Sequence, residues 1–202
     1  MRSVRNFTLM LTSLIISIGA IGAIFWEKGT FLKTLNQLHT PFTDFFFKYI
    51  TYLGDGLIIL IASIGLYFYK KSIALICLLS YFLSGALAQI LKRTFQYNRP
   101  SKALEDFNLL VLVPGEQLSR TLSFPSGHTT SAFAFFLALF WFSEKKHWPI
   151  LGILIALLVG VSRVYLLQHF LMDITAGAFL GSLCVPLSHL ILKKSGKLDS
   201  KQ

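Results

Sequence analysis

The chain has 202 residues, of which 54% are hydrophobic and only 14% are charged. Soluble domains carry about 25% charged residues, so this balance excludes an ordinary soluble enzyme and points to a chain that has lipid as its main solvent. The net charge of +10 sits in short clusters between apolar runs, with no nucleic-acid-binding motif. That is the pattern of the positive-inside rule, and it argues for a membrane and against nucleic acid as partner.

Six apolar stretches follow one another along the chain: Phe7–Trp26, Tyr49–Tyr69, Ser72–Leu91, the run from just after Pro125 to Phe142, Trp148–Leu167 and Phe170–Leu192. Each approaches the length that crosses a hydrocarbon core of about 30 Å as a helix, and helices are required because lipid offers the backbone no other hydrogen-bond partner. The fold expected is all-α, a polytopic six-transmembrane helical bundle, forming a single domain over 1–202. The first stretch follows a basic start (Arg2, Arg5) as a signal peptide would. It exceeds the usual apolar core of about 7–15 residues, so it is read as a retained span. The second has a blurred, aromatic lead-in over Pro41–Lys48. Cys77 and Cys184 lie within apolar runs and read as small buried hydrophobes. The polar tail 193–202 is expected to fray.

Ten basic residues fall on one side of this layout (Arg2, Arg5, Lys70, Lys71, Lys145, Lys146, Lys193, Lys194, Lys197, Lys201) and nine on the other. The counts barely differ, but the first side's loops are tiny and doubly basic. Both termini are therefore expected in the cytoplasm and the chain in the cell inner membrane, with the long Lys92–His128 loop on the outer face.

Three clusters on that outer side carry the chemistry: Lys92 to Pro100, Ser123 to His128, and Ser162-Arg163 followed by His169 and Asp173. Lys92 and Arg99 are two helical turns apart and share a face if the helix persists that far. Arg forks onto phosphate oxygens and Lys adds a mobile charge. Pro100 is expected to end any helix there. Pro125-Ser126-Gly127-His128 opens an apolar span, where free N–H groups beside a small glycine cradle an anion. One helical turn stacks His169 on Asp173, and a carboxylate beside an imidazole fixes its tautomer, leaving the other nitrogen to attack. An ionisable residue a turn inside a span, as at Asp173 or Arg163, defaults to a functional or paired role. No acidic cluster able to hold Mg²⁺ or Zn²⁺ is legible, so no cofactor is expected. Arg93, Lys28, Lys33, Lys102 and Arg120 read as interface anchors, and His39, His147 and His189 as polar residues without a catalytic partner.

The spacings Lys-x6-Arg-Pro, Pro-Ser-Gly-His and Ser-Arg-x5-His-x3-Asp, in that order, resemble the type-2 phosphatidic acid phosphatase superfamily from about the third span to the sixth. The resemblance implies a phosphatase in which His169, oriented by Asp173, attacks phosphorus. His128 protonates the leaving group and then activates water. Lys92, Arg99, Arg163, Ser126 and the Gly127 N–H hold the phosphoryl oxygens. A site at the outer interface suits a lipid phosphate or diphosphate such as undecaprenyl diphosphate, phosphatidylglycerol phosphate, phosphatidic acid or a lipid A phosphate. The alternatives are a transporter, whose charges would lie near mid-membrane, and a non-catalytic protein that binds lipid phosphate. The oligomeric state is not legible.

Overall fold

In a computed structural model, which describes residues 2–198, the chain is built of helices, with no strand among the described residues. In chain order they are α1 (Arg2–Phe25), α2 (Thr30–Asn36), α3 (Pro41–Ile50), α4 (Gly56–Tyr69), α5 (Lys71–Phe95), α6 (Pro100–Ala103), α7 (Gly127–Leu139), α8 (His147–Tyr165) and α9 (Leu171–Lys194). Of these, α1, α5, α8 and α9 are long and apolar enough to cross a bilayer, and α3 with α4 makes a fifth candidate as one span bent by 55°. The protein is thus an all-α polytopic membrane protein.

Two of the expected spans differ from a simple rod. The stretch Tyr49–Tyr69 is broken at a 3₁₀ turn, Thr51–Gly54, before α4 restarts under the Asp55 cap, whose carboxylate accepts the Leu57 and Ile58 N–H groups. The break has a packing cause. A Cβ at Gly54 would stand 2.6 Å from the His128 carbonyl oxygen, and the Gly54 carbonyl accepts the Ser131 hydroxyl at 2.6 Å. The turn is pressed onto the start of α7, which a continuous helix could not reach. The fourth stretch yields α7, with 13 residues and therefore about 20 Å long, short of a full crossing. It is the most enclosed helix, buried from Thr129 to Ala138 and wrapped by α5, α8 and α9.

Small residues bring α9 onto α7. A Cβ at Gly181 would lie 2.4 Å from the Thr130 carbonyl oxygen, and one at Gly177 2.7 Å from that of Ser126. This spacing of small residues lets backbones approach closely in lipid, where packing rather than the hydrophobic effect drives association. The core between the helices holds Phe133, Phe136, Trp141, Ile59, Ile76, Ile153 and Val185. By contrast α1 is largely exposed along its apolar span and leans mainly on α9.

One end of the bundle gathers the N-terminal residues, the α7–α8 connection and the end of α9. Arg5 lies 5.8 Å over the Trp141 ring and 3.4 Å from the His189 ring nitrogen, and Lys146 lies 4.8 Å over Phe7. At the tail, α9 continues to Lys194 and Leu198 is buried. Residues 199–202, with Asp199 and Lys201, lie outside the described residues.

Candidate active site

The three clusters meet at the other end of the bundle, where α5 ends and α7 and α9 begin. The helix carrying Lys92 does not persist to Arg99. It stops at Gln96, whose left-handed backbone (φ 49) caps α5 with a hydrogen bond to the Lys92 carbonyl. Arg99 instead arrives from a loop, its N–H bonded to the Arg120 carbonyl at 3.0 Å. Pro100 opens α6 at its first position, where its missing N–H costs nothing, rather than ending a helix.

Lys92 is 7% exposed and donates to the Leu122 carbonyl at 2.6 Å. Arg99 donates from Nε to the Thr121 carbonyl at 3.0 Å and from one terminal nitrogen to Gln168 Oε1 at 2.8 Å. Arg163, 8% exposed, donates to Thr51 Oγ1 at 2.9 Å, while its fully buried Nε has no partner among the described residues. The Coulomb fields of Arg163, Arg99 and Lys92 all reach His128, as does that of His169. Three buried or half-buried cations therefore act on one imidazole, with an unfilled donor among them. Buried donors are nearly always paired, so this set has the charge and the free donor to receive an anion. All of these residues sit at helix ends, not at mid-bundle, which removes the transporter's expected geometry.

His169 precedes α9 rather than riding on it. Asp173 is the third residue of α9, and its Oδ2 accepts the Phe170 N–H at 2.8 Å while lying 3.4 Å from His169 Nδ1. The contact is thus between a loop and the first turn of a helix, whose N-terminus also favours a carboxylate. Ser123 completes it, donating to Asp173 Oδ2 at 2.5 Å with its oxygen 3.4 Å from His169 Nδ1. With Nδ1 turned to these partners, Nε2 is the nitrogen left for chemistry. Burial, opposed by Asp173, lowers the His169 pKa to about 4, so the ring stands neutral with its lone pair available at ordinary pH.

Ser126 and Gly127 divide the role expected of both. The Ser126 hydroxyl is fully buried as the cap of α7, accepting the Thr129 N–H and hydroxyl, and its own N–H is bonded to the Asp173 carbonyl at 2.9 Å. It ties the second cluster to the third. Beside Gly127 there is open space, nothing lying within 4 Å of an added Cβ. A cavity of about 200 Å³ opens here between α4, α5 and α7, lined by Gly127, His128, Tyr81, Gly85 and Gln89.

Two contributors were not legible in the sequence, Gln168 and Thr51, and Ser123 was placed in the second cluster without a role. Ser123 and Gln168 each follow a leucine held at positive φ (Leu122, 58°; Leu167, 56°), a backbone state that clusters at functional sites. Thr51 carried no signal, because the break that delivers it is tertiary. Among the anchors, Lys33 pairs with Asp106 at 2.5 Å and Lys28 lies 4.8 Å over the Phe170 ring. His39 stacks on Tyr165 and contacts Asp44 at 2.6 Å, and His147 packs at a tilt against Trp148; neither contact involves a residue of the cationic cluster. Among the described residues no group of three or more His, Cys, Asp or Glu side chains forms a metal-ligand set.

Residues 73–197 match the model of the PAP2 superfamily, about three-fifths of the chain. The chain belongs to the PAP2 superfamily. It is similar to phosphatidylglycerophosphatase B of Bacillus subtilis, with 36% identity over 148 residues that cover 66% of this chain and 68% of that protein. Its fold resembles the crystal structure of Aquifex aeolicus LpxE, with a TM-score of 0.72 and 31% identity over 81% of this chain and 95% of that one. It also resembles a transmembrane PAP2-type phosphatidylglycerolphosphate phosphatase from Bacillus subtilis, with a TM-score of 0.68 and 27% identity over 99% and 98% of the two chains. Membership together with relatives named as lipid phosphatases makes this PAP2 protein an enzyme of the lipid phosphatase class.

Proposed function

We propose that this PAP2 protein hydrolyses a lipid phosphate in two steps through a phosphohistidine on His169, without a metal ion. The observation that carries the reading is the dyad itself: a buried neutral imidazole, oriented through Nδ1 by Asp173 and Ser123, in the field of Arg99 and Arg163. In the first step the His169 Nε2 lone pair attacks phosphorus, the P–O bond to the lipid breaks, and His128, protonated once the negative charge of the bound phosphoryl group offsets the surrounding cations, gives its proton to the leaving oxygen. In the second, His128 takes a proton from water, the resulting hydroxide attacks phosphorus, and the P–N bond breaks to release phosphate. Lys92, Arg99, Arg163 and the Gly127 N–H face the charge that spreads over the phosphoryl oxygens in each transition state. Ser126 holds Gly127 in place as the helix cap.

The cavity of about 200 Å³ beside His128 has room for the atoms of the substrate next to the leaving oxygen. A glycerol-based lipid phosphate of the phosphatidylglycerol phosphate type is the first substrate, supported by the likeness, in sequence and in fold, to a Bacillus subtilis phosphatase named for that lipid. The site lies on the outer face and both termini in the cytoplasm. What supports this is the gathering of Arg5, Lys146 and the α9 end at the opposite end of the bundle.

The test is phosphate release by purified protein from a panel containing phosphatidylglycerol phosphate, phosphatidic acid, undecaprenyl diphosphate and a lipid A phosphate. The expected result is fastest release from phosphatidylglycerol phosphate, unaffected by EDTA, with His169→Ala slower by at least about 10³-fold. Strong inhibition by EDTA, or turnover retained by His169→Ala, overturns the mechanism. Fastest turnover of another lipid overturns the substrate alone.

A further inference from the structure

Arg99 is more constrained than phosphate binding requires. Of the five N–H groups of its guanidinium, Nε–H goes to the Thr121 carbonyl at 3.0 Å, and one terminal nitrogen reaches both Gln168 Oε1 at 2.8 Å and the Gln168 carbonyl at 3.4 Å. The second terminal nitrogen has no partner among the described residues and remains for a phosphoryl oxygen.

Gln168 is 3% exposed and stands immediately before His169. Its amide is used at both ends. The oxygen accepts from Arg99 and the nitrogen donates to the Gln117 carbonyl at 2.9 Å, in the middle of the long loop. Its backbone N–H goes to the Arg163 carbonyl at 2.9 Å. One neutral side chain therefore ties together the first cluster, the third cluster and the loop. Only an amide serves here: a carboxylate would repel the Gln117 carbonyl, and an aliphatic chain would leave both partners unpaired.

We infer that Gln168 is a positioning residue that couples the 104–122 loop to the phosphate grip of Arg99. It holds the guanidinium with one nitrogen presented to the substrate and makes that presentation depend on where the loop sits. A headgroup that engages the loop thereby changes how firmly the phosphate is held. The inference rests on the proposed role of Arg99 as a phosphate ligand.

The experiment is a double-mutant cycle in detergent micelles, measuring kcat and KM with whichever panel lipid is turned over, for the unmodified protein, Gln168→Leu, Arg99→Lys and the pair. Gln168→Leu should lower kcat/KM about tenfold in the unmodified background, mostly through KM. In the Arg99→Lys background the same change should cost less than about twofold, because residues that act through one another do not add. A tenfold loss in both backgrounds, or none in the first, overturns the coupling. Arg99→Lys with full kcat/KM would count against the phosphate-ligand role of Arg99 instead, since a lysine cannot reproduce the fork. Gln168→Glu keeps the side chain's shape and serves where Gln168→Leu does not fold. It should raise KM by about fivefold with kcat within twofold, as the carboxylate competes for Arg99, and it should speed tryptic cleavage after Lys102 and Arg120 as the loop loses its tie. Unchanged KM with unchanged cleavage overturns the inference.

Discussion

The two ends of the bundle are almost equally basic by count, yet they use their charges in opposite ways. At one end the charged heads of Arg5, half-buried, and Lys146, exposed, lie over the faces of Trp141 and Phe7. That is how long cations settle at a membrane boundary. At the other end Lys92 and Arg163 are under one-tenth exposed, and Lys92 and Arg99 are held by backbone carbonyls at Leu122 and Thr121. A carbonyl orients a cation without neutralising it, whereas a carboxylate would cancel it. Asp173, the carboxylate beside His169, is kept occupied by Ser123, Phe170 and His169. The difference teaches that a functional charge here is marked by burial against neutral partners, not by its place in a charge count.

The comparison breaks most sharply by moving a single arginine. Arg163→Ala should lower kcat/KM by more than about 10²-fold, the scale of losing one charge-stabilising donor. Arg5→Ala should leave it within twofold, so comparable losses from the two would dissolve the distinction. Asp173→Asn comes next, with a fall in kcat of about 10²-fold. It also sharpens the electrostatic account through pH. His169, with its pKa lowered to about 4, is neutral above that value and becomes protonated below it, so its acid limb in kcat/KM belongs near pH 4 and activity is lost as pH falls through it. Asp173 opposes the lowering, so its replacement should carry the limb to lower pH; a limb that moved upward would contradict the dyad. Ser123→Ala should cost about tenfold in kcat, since removing a hydroxyl bonded to a charged group loses about 1.5–3 kcal/mol and the remaining partners still hold Asp173. The smallest effect belongs to Lys146→Ala, an exposed cation over a ring, worth about 0.5–1 kcal/mol and read in thermal unfolding in detergent with turnover unchanged.

Much of the site could be read from the chain because its chemistry is local in sequence. Pro125 to His128 both caps α7 and presents its first N–H groups, and His169 to Asp173 spans one loop-to-helix junction. Arg99 shows where that reading failed: a helix carried on from Lys92 would have set the two on one face, but Gln96 adopts a left-handed cap and the loop delivers the guanidinium instead. The broken second span failed for a related reason. Apolar composition fixes that Tyr49–Tyr69 belongs in lipid but not that Gly54 must turn against the His128 carbonyl.

By itself, then, the sequence determined the solvent, the helical class, the three motifs and the side chains able to do the chemistry, because hydropathy and residue type act over a few neighbours. Only the tertiary structure decided which nitrogen of His169 is free, which cations are held by carbonyls, and that Thr51, Ser123 and Gln168 support them. Those facts depend on distances between α3, α7, α8, α9 and the long loop, and such distances are set by how helices pack, with Gly177 and Gly181 letting α9 touch α7.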